Sequence, residues 1–407
     1  MWICCQLGAR EHYSIPRGLH QRGLLAGLVT ETWVPPNSIL ARIGGKLGER
    51  LSQRYDEGLA DANVYHTSSY AAGYELFARI FKSPAGWSSI MARNDWFQTK
   101  AVRYLKEIVE RNNKGSSPIV FTYSYAARKI LLAARDLGCT TVLGQIDAGP
   151  VEERIVSEVR LRHGYPTDDE EQIPEPYWDA WREECEICDS IIVNSPWARE
   201  ALIREGVNPH KLLCVPLAYD PPEKSYHFQR RYPERFDHSR PLRVLFLGSL
   251  IARKGVYELI NAASLLKKAP VKFLLVGSSP TELGFANTPN LQCRPSVARA
   301  RVHDFYKSAD VFIFPTHSDG FGLTQVEAMA WGLPVIASQS CANVVTHRVN
   351  GLVLPAVTAE EIVKQIDWLI DNADVLSNMS ICAFKTSKTF RSDRVISQLL
   401  QRGIAHT

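Results

Sequence analysis

Two stretches of this sequence between them bring glycines, cations and carboxylates at spacings that suit the binding of a phosphate. The first is Gly248-Ser-Leu-Ile-Ala-Arg253-Lys254-Gly255. It falls between an apolar run, Val244-Leu245-Phe246-Leu247, and a helical pattern from Val256 to Leu266. A strand-to-helix turn at the C-terminal edge of a parallel sheet is where open α/β folds take ligands. Gly248 permits close backbone approach, and the following helix offers unpaired N–H groups to an anion. Arg253 supplies a planar fork and Lys254 a point charge for phosphate oxygens. In isolation the stretch could equally be a basic surface turn. It has neither the GxxxxGK[ST] order of a P-loop nor GxGxxG, which argues against NAD chemistry.

The second stretch runs from Pro315 to Pro334 and contains His317, Asp319, Gly320, Phe321, Gly322, Leu323, Thr324 and Glu327. Gly320 and Gly322 shape a turn that exposes backbone N–H groups. A helix from about Thr324 to Trp331 then directs its positive end at the same crevice. Asp319 stands in the loop and Glu327 one turn inside the helix, so both carboxylates can face one cleft at different depths and accept hydrogen bonds from sugar or ribose hydroxyls. The plain alternative is helix capping. Two phosphate-friendly turns with two hydroxyl-accepting carboxylates fit a nucleotide-sugar better than either stretch alone.

These residues need a scaffold, and the apolar runs supply one. Strand-like segments occur at Ile3–Leu7, Val64-Tyr65, Ile119–Phe121, Thr141–Leu143, Ile191–Val193 and Leu213–Val215, with helical stretches such as Ala126–Leu137 and Pro196–Glu205 among them. A short Leu-rich helix is expected from Pro16 through Leu24 and Leu25. The rhythm restarts after residue 241 with Val244–Leu247, Phe273–Val276, Val311–Phe314 and Val335–Ala337. Short apolar strands alternating with helices imply mostly parallel sheets covered on both faces. The expected organisation is one α/β domain over 1–220, a proline-bracketed connector over 221–240, a second α/β domain over 241–380, and a helical tail over 381–407 that packs back on the first domain.

Composition narrows the classes further. The 407 residues are 45% hydrophobic and 22% charged, and 47 Lys+Arg against 43 Asp+Glu leave +4. That ordinary balance suits two or three packed domains, and the charge is too small to argue for nucleic acid. It would tolerate contact with anionic lipid or a sugar phosphate. No run of 18 apolar residues or secretion leader occurs, and nine cysteines without framework spacing favour a reducing cytoplasm. Cys185 and Cys188 form a single CxxC inside a helical pattern and read as structural thiols rather than metal ligands. Asn378-Met-Ser380 matches a glycosylation acceptor by chance. Trp87–Phe97 concentrates aromatic and apolar residues; core packing is preferred over a membrane-touching surface. The acidic run 167–171 reads as a solvated loop.

Val311 to Ala337 resembles the carboxylate-glycine-helix segment of retaining glycosyltransferase family 4, and residues 244–266 are similar to that family's donor diphosphate turn. The resemblance is specific over 241–380 and diffuse before it. It implies a GT-B fold, two Rossmann-like domains facing across a cleft, and transfer of a sugar from a nucleoside diphosphate sugar (UDP or GDP type) without a metal. By the same resemblance Arg253 and Lys254 hold the diphosphate, with Gly248 in the same turn. Asp319 contacts the transferred sugar, Phe321, Gly322 and Leu323 give backbone contacts beside Thr324, and Glu327 binds the ribose. Asp319 replaces the usual Glu, and Gly8-Ala9-Arg10-Glu11-His12-Tyr13 replaces the glycine pair after the first strand. The usual histidine after a later first-domain strand is missing from Phe121–Tyr125, leaving His12 as a spatial substitute. The implied partner is a carbohydrate or lipid-linked acceptor, with peripheral contact at the inner face of a membrane. Competing readings are a nucleotide-sugar epimerase or sugar phosphate synthase on the same scaffold, and a non-catalytic nucleotide-sugar-binding subunit.

Overall fold

A computed structural model of the 407-residue chain describes residues 1–42, 48, 51, 53–67, 86–112, 117–164, 172–278 and 288–402. The acidic run 167–171 lies outside the described residues. The chain forms two sheets. The first contains β1 (Trp2–Gln6), β2 (Leu25–Thr30), β3 (Val64–His66), β4 (Ile119–Tyr123), β5 (Thr140–Gln145), β6 (Ser190–Val193) and β7 (Leu212–Cys214). The second contains β8 (Leu242–Leu247), β9 (Val271–Val276), β10 (Leu291–Arg294), β11 (Val311–Phe314), β12 (Val335–Ser338) and β13 (Gly351–Leu354). Their strand orders are β3-β2-β1-β4-β5-β6-β7 and β10-β9-β8-β11-β12-β13, with every described pairing parallel.

In each sheet the winding reverses at one place, between β1 and β4 and between β8 and β11. Loops leaving those strands diverge to opposite faces and open a crevice, which fixes where ligand groups must come from. The strands are apolar on both faces because helices cover both. In the first sheet, Trp87–Arg111 and Arg128–Asp136 bury Phe97, Leu105 and Ile130 on one face. Ser14–His20 and the C-terminal helix Ser392–Gln401 bury Leu19, Val395 and Ile396 on the other. The last helix thus leaves the second half and returns to the first. Arg22 holds it there, donating to Asp393 O at 2.6 Å and to Ser397 Oγ at 3.0 Å.

Three sequence expectations change. The helix begun near Pro16 ends at His20, and Leu25 opens β2, because Gly23 at φ +66° turns the chain and the run Leu25–Thr30 is long enough to span the sheet. Strands β10 and β13 carried no distinct signal, since both lie at sheet edges, β10 alternating with Gln292 and Arg294 and β13 opening on Gly351. The 221–240 stretch is also more than a tether. Arg230 donates to the carbonyls of Tyr306 at 2.7 Å and Trp331 at 3.0 Å, and Tyr232 Oη to that of Asp310 at 3.0 Å. It is docked along the second sheet by side chains that have no periodicity to read.

The apolar segment at Trp87–Phe97 begins the 25-residue helix Trp87–Arg111. Phe97 enters the core, Trp96 packs against it and Trp87 meets Tyr177 edge-on. Cys185 and Cys188 are buried, with burial pushing both thiols up, Cys188 to about 12. Ser380 of the Asn378-Met-Ser380 match is buried in the helix Val375–Ser387. Among the described residues no helix is long and apolar enough to cross a membrane.

Candidate active site

The second-sheet wall of the cleft is built by the exits of β8 and β11. After β8 the chain makes a short turn, Ala252–Lys254, and Gly255 at φ +71° starts the helix Val256–Leu265. A methyl group on Gly255 would stand 1.9 Å from the Pro315 carbonyl oxygen. Only glycine fits there, and its absence of side chain presses the basic turn against the β11 exit. Arg253 and Lys254 therefore meet Asp319. Lys254 Nζ pairs with the Asp319 carboxylate and lies 4.9 Å from the Phe314 ring centre. Arg253 Nη1 donates to Ser318 O at 2.9 Å and lies 3.9 Å from Asp319 Oδ2. Burial pushes the Lys254 ammonium down to about 7, and the Arg253 guanidinium adds to the shift while Glu152 opposes it. An ammonium in that state gains strongly from an arriving anion.

Asp319 is engaged at both oxygens, since Oδ1 also accepts from Phe321 N at 3.2 Å. The sugar-facing role implied by the family resemblance therefore needs Lys254 to change partner first. Phe321 is buried, Gly322 caps the helix Leu323–Ala330, and Leu323 and Thr324 lie in its first turn. That first turn has backbone donors without intrahelical partners. Gly248, at the exit of β8, is tied by its N–H to Val276 O at 3.0 Å. Glu327 lies one turn into the helix, where Oε2 accepts from Tyr306 Oη at 2.9 Å. Burial raises its carboxyl above the usual range, with the Tyr306 hydrogen bond and the Arg299 guanidinium opposing.

The first-sheet wall comes close enough to complete the site. Glu152, in the first turn of the helix Pro150–Arg162, lies 3.2 Å from Arg253 Nη1 and accepts from Ser318 Oγ at 2.9 Å. Trp197 Nε1 donates to the same hydroxyl at 3.1 Å. Glu258 accepts from His163 Nε2 at 2.9 Å across the cleft and from His317 Nε2 at 3.0 Å on its own side. His12 reaches the cleft too, where its Nε2 accepts from Arg299 Nη1 at 2.6 Å. Loss of hydration pushes the imidazole down to about 4, with Arg299 and Arg17 adding to it, so it is neutral near pH 7.

The halves also meet closely at Gly320. A methyl group there would stand 2.1 Å from Ile146 O and 2.9 Å from Asn194 Nδ2, both on the first side. The obstruction is backbone and cannot rotate away. Gly320→Ala is expected to hold the halves apart, lowering kcat by about 10- to 100-fold while nucleotide affinity changes little, because misplacing one wall by about an ångström is enough to lose alignment. Paired steady-state kinetics and nucleotide titration check this; an unchanged kcat would contradict it.

The structure thus brings Arg253, Lys254, Asp319, Phe321, Gly322, Leu323, Thr324 and Glu327 along one wall, with Gly248 at the neighbouring strand exit. Sequence reasoning missed Glu152, His163, Glu258, Arg299 and Tyr306. These partners are set by how the two halves meet, and only the helix-start position of Glu152 after Gly149-Pro150 carried any signal. Among the described residues no group of three or more His, Cys, Asp or Glu is placed to hold a metal ion.

Residues 241–372 match the family described as glycosyl transferases group 1. An uncharacterized glycosyltransferase of Haemophilus influenzae is 31% identical over 165 residues, covering 38% of this chain and 47% of that protein. The capsular polysaccharide biosynthesis glycosyltransferase CapM of Staphylococcus aureus is 28% identical over 166 residues, covering 38% and 44%. The chain spans about half the length of the curated relatives it matches. Among solved structures, Anabaena HepE in complex with UDP superposes with a TM-score of 0.63 at 15% identity, covering 98% of this chain and 99% of that one. The sucrose-phosphate synthase of Thermosynechococcus elongatus gives 0.66 at 16% identity, covering 98% of each. The chain has the GT-B fold, with two parallel-sheet α/β units forming a cleft.

Proposed function

We propose that this protein transfers a sugar from a nucleoside diphosphate sugar to an acceptor hydroxyl with retention of anomeric configuration, in glycan, polysaccharide or glycolipid synthesis. The observation that carries the reading is the Arg253–Lys254 pair, half buried beside a helix N-terminus and facing a carboxylate wall, at a sheet's switch point. The match of residues 241–372 to glycosyl transferases group 1, and the likeness to a fold neighbour solved with UDP, support the nucleotide-sugar.

In this reading the donor diphosphate displaces the internal carboxylates. Lys254 leaves Asp319 for a phosphate oxygen, and Arg253 turns from Glu152 to another. Asp319 Oδ2, released, accepts from a hydroxyl of the sugar. Glu327 accepts from the ribose while Tyr306 keeps hold of its carboxylate. The acceptor oxygen then bonds to the anomeric carbon on the face the diphosphate leaves. The bond from that carbon to the phosphate oxygen breaks, its electron pair stays on the phosphate, and the acceptor proton passes to the departing diphosphate. The charge that develops is met by Arg253, Lys254 and the first-turn amides near Thr324. No carboxylate nucleophile is required, so Asp319 and Glu327 are not a hydrolase pair.

Glu327→Gln tests the ribose contact, since the amide can still accept from Tyr306 and the fold is kept. Affinity for UDP or GDP, whichever the wild type binds, should fall about 10- to 100-fold in calorimetric titration, the cost of weakening charged hydrogen bonds. Unchanged affinity and turnover would remove Glu327 from the site.

A further inference from the structure

The C-terminal edge of the first sheet carries two adjoining cavities, and Arg10 lines both. The smaller, about 150 Å³, is walled by Asn94, Thr122, Ser124, Tyr125 and Asp147. Thr122 and Ser124 are 1% and 3% exposed, yet their hydroxyls have no hydrogen-bond partner among the described residues. Buried hydroxyls left unpaired are costly and need a reason. Asp147 beside them is fixed as an acceptor, taking hydrogen bonds from Tyr125 Oη, from Gln145 Nε2 at 2.9 Å and from Gly149 N at 2.9 Å. A chamber of pre-set hydroxyls and a carboxylate matches the hydroxyls of a sugar ring.

The second cavity, about 420 Å³, is lined by Arg10, Arg54 and Arg93 around the buried Glu31. Arg93 forks onto Glu31, with Nε at 3.1 Å and Nη2 at 2.7 Å, and Arg54 Nη1 lies 3.4 Å from the same carboxylate. Arg10 has no side-chain hydrogen bond or ion pair among the described residues. Arg54 reaches the cavity by lying over Gly8, where a methyl group would stand 2.4 Å from its Nη1. Glu11 also lines the cavity. Burial pushes its carboxyl up to about 7, against the nearby Tyr123 and Ser14 hydroxyls and the charge of Arg10, so near neutral pH it is only partly ionised. Three guanidiniums therefore face the carboxylates of Glu31 and the partly ionised Glu11, and the cavity is net positive. Arg10 projects into it from a turn in which Glu11, His12 and Tyr13 all have positive φ, 49°, 51° and 57°. Such a run in non-glycine residues persists only where its surroundings enforce it.

We propose that the acceptor is an anionic sugar compound, its ring in the Thr122–Ser124–Asp147 chamber and its phosphate or diphosphate held by Arg10, Arg54 and Arg93. This deepens the transferase reading and rests on it for the word acceptor, but the site can be tested separately. Guanidinium forks select phosphate oxygens over neutral hydroxyls, and the preceding chamber spaces the ring from the charge.

The test is calorimetric titration of the intact protein, with and without saturating UDP, using glucose, glucose 1-phosphate, inorganic pyrophosphate and farnesyl diphosphate. Glucose 1-phosphate should bind at least tenfold more tightly than glucose. Arg10→Gln, at an exposed side chain without a hydrogen bond or ion pair among the described residues, leaves the fold alone and should weaken the phosphorylated probes about tenfold or more while UDP affinity stays the same. Arg54→Gln should do likewise. Farnesyl diphosphate binding tenfold more tightly than pyrophosphate assigns the anion to a lipid carrier; equal binding assigns it to a soluble phosphate ester. Glucose binding as tightly as its phosphate, or phosphorylated probes indifferent to both arginine variants, would overturn the proposal. Failure of UDP to bind, with the probes still sensitive to Arg10, would instead strike the transferase reading alone.

Discussion

Replacing Lys254 by Met is expected to lower turnover about 10³-fold. The side chain is nearly as long, so the stem packing beside Phe314 survives and only the charge is lost. That charge is largely withdrawn from water, and burial has already pushed the ammonium down to about 7. A cation in that condition is poorly solvated and gains most when negative charge grows on a departing diphosphate. Removing one such preorganised donor typically costs 10²- to 10³-fold, and a full charge in a low-dielectric site belongs at the upper end. Arg253 does not replace the lost ammonium, because in the proposed complex its guanidinium is already committed to another phosphate oxygen. Lys254→Arg, which keeps the charge and changes its reach, should retain more turnover than Lys254→Met. Steady-state kinetics with melting temperatures for both variants check this, and a Met variant within threefold of wild type would remove Lys254 from the chemistry.

The largest effect on stability is expected at Asp310, which takes no part in the site. It is fully buried at the start of β11, where Arg240 donates to it at 2.8 and 2.7 Å and Arg243 at 3.0 and 2.8 Å, with the Arg243 backbone N–H at 2.9 Å. The pair of forks fastens the end of the connector to the strand that delivers Asp319. Asp310→Asn keeps the shape but leaves two guanidiniums without their anion. Breaking such a buried network costs about 3 kcal/mol, toward the low end because both arginines remain partly solvated. Burial alone would raise this carboxyl, but the hydrogen bonds from Arg240 and Arg243 outweigh it and hold it below the ordinary carboxylate range. The folded state therefore binds fewer protons than the unfolded chain. The contribution is complete above the unfolded carboxyl range near 4 and is lost as pH falls through the folded value. Urea unfolding of wild type and Asp310→Asn should differ most at neutral pH and converge in acid; equal stabilities at pH 7 would contradict the assignment.

How much of this could be read from the residue order depends on distance along the chain. The strands Val244–Leu247 and Val311–Phe314 and the turns after them were legible because an apolar run, a glycine and a charged group follow within a dozen residues. The same local logic exposed Arg253, Lys254, Asp319 and Glu327. It could not show that Lys254 and Asp319 pair with each other, because that contact depends on Gly255 sitting against Pro315 O. Nor could it show Glu152 facing Arg253, which the chain separates by about a hundred residues. His12 reads as an ordinary loop histidine until Arg299 is placed opposite it. The connector read as irregular because Arg230 works through backbone carbonyls of four different residues, a role that leaves no periodic trace.

The most direct measurement is a crystal structure of the protein soaked or grown with UDP, or with GDP if that binds more tightly. The diphosphate is expected within hydrogen-bonding distance of Arg253 and Lys254 and above the first turn of Leu323–Ala330, with the ribose hydroxyls on Glu327 and the Lys254–Asp319 pair opened. A nucleotide seated elsewhere, or one whose diphosphate leaves Lys254 still bound to Asp319, would contradict the account at its centre.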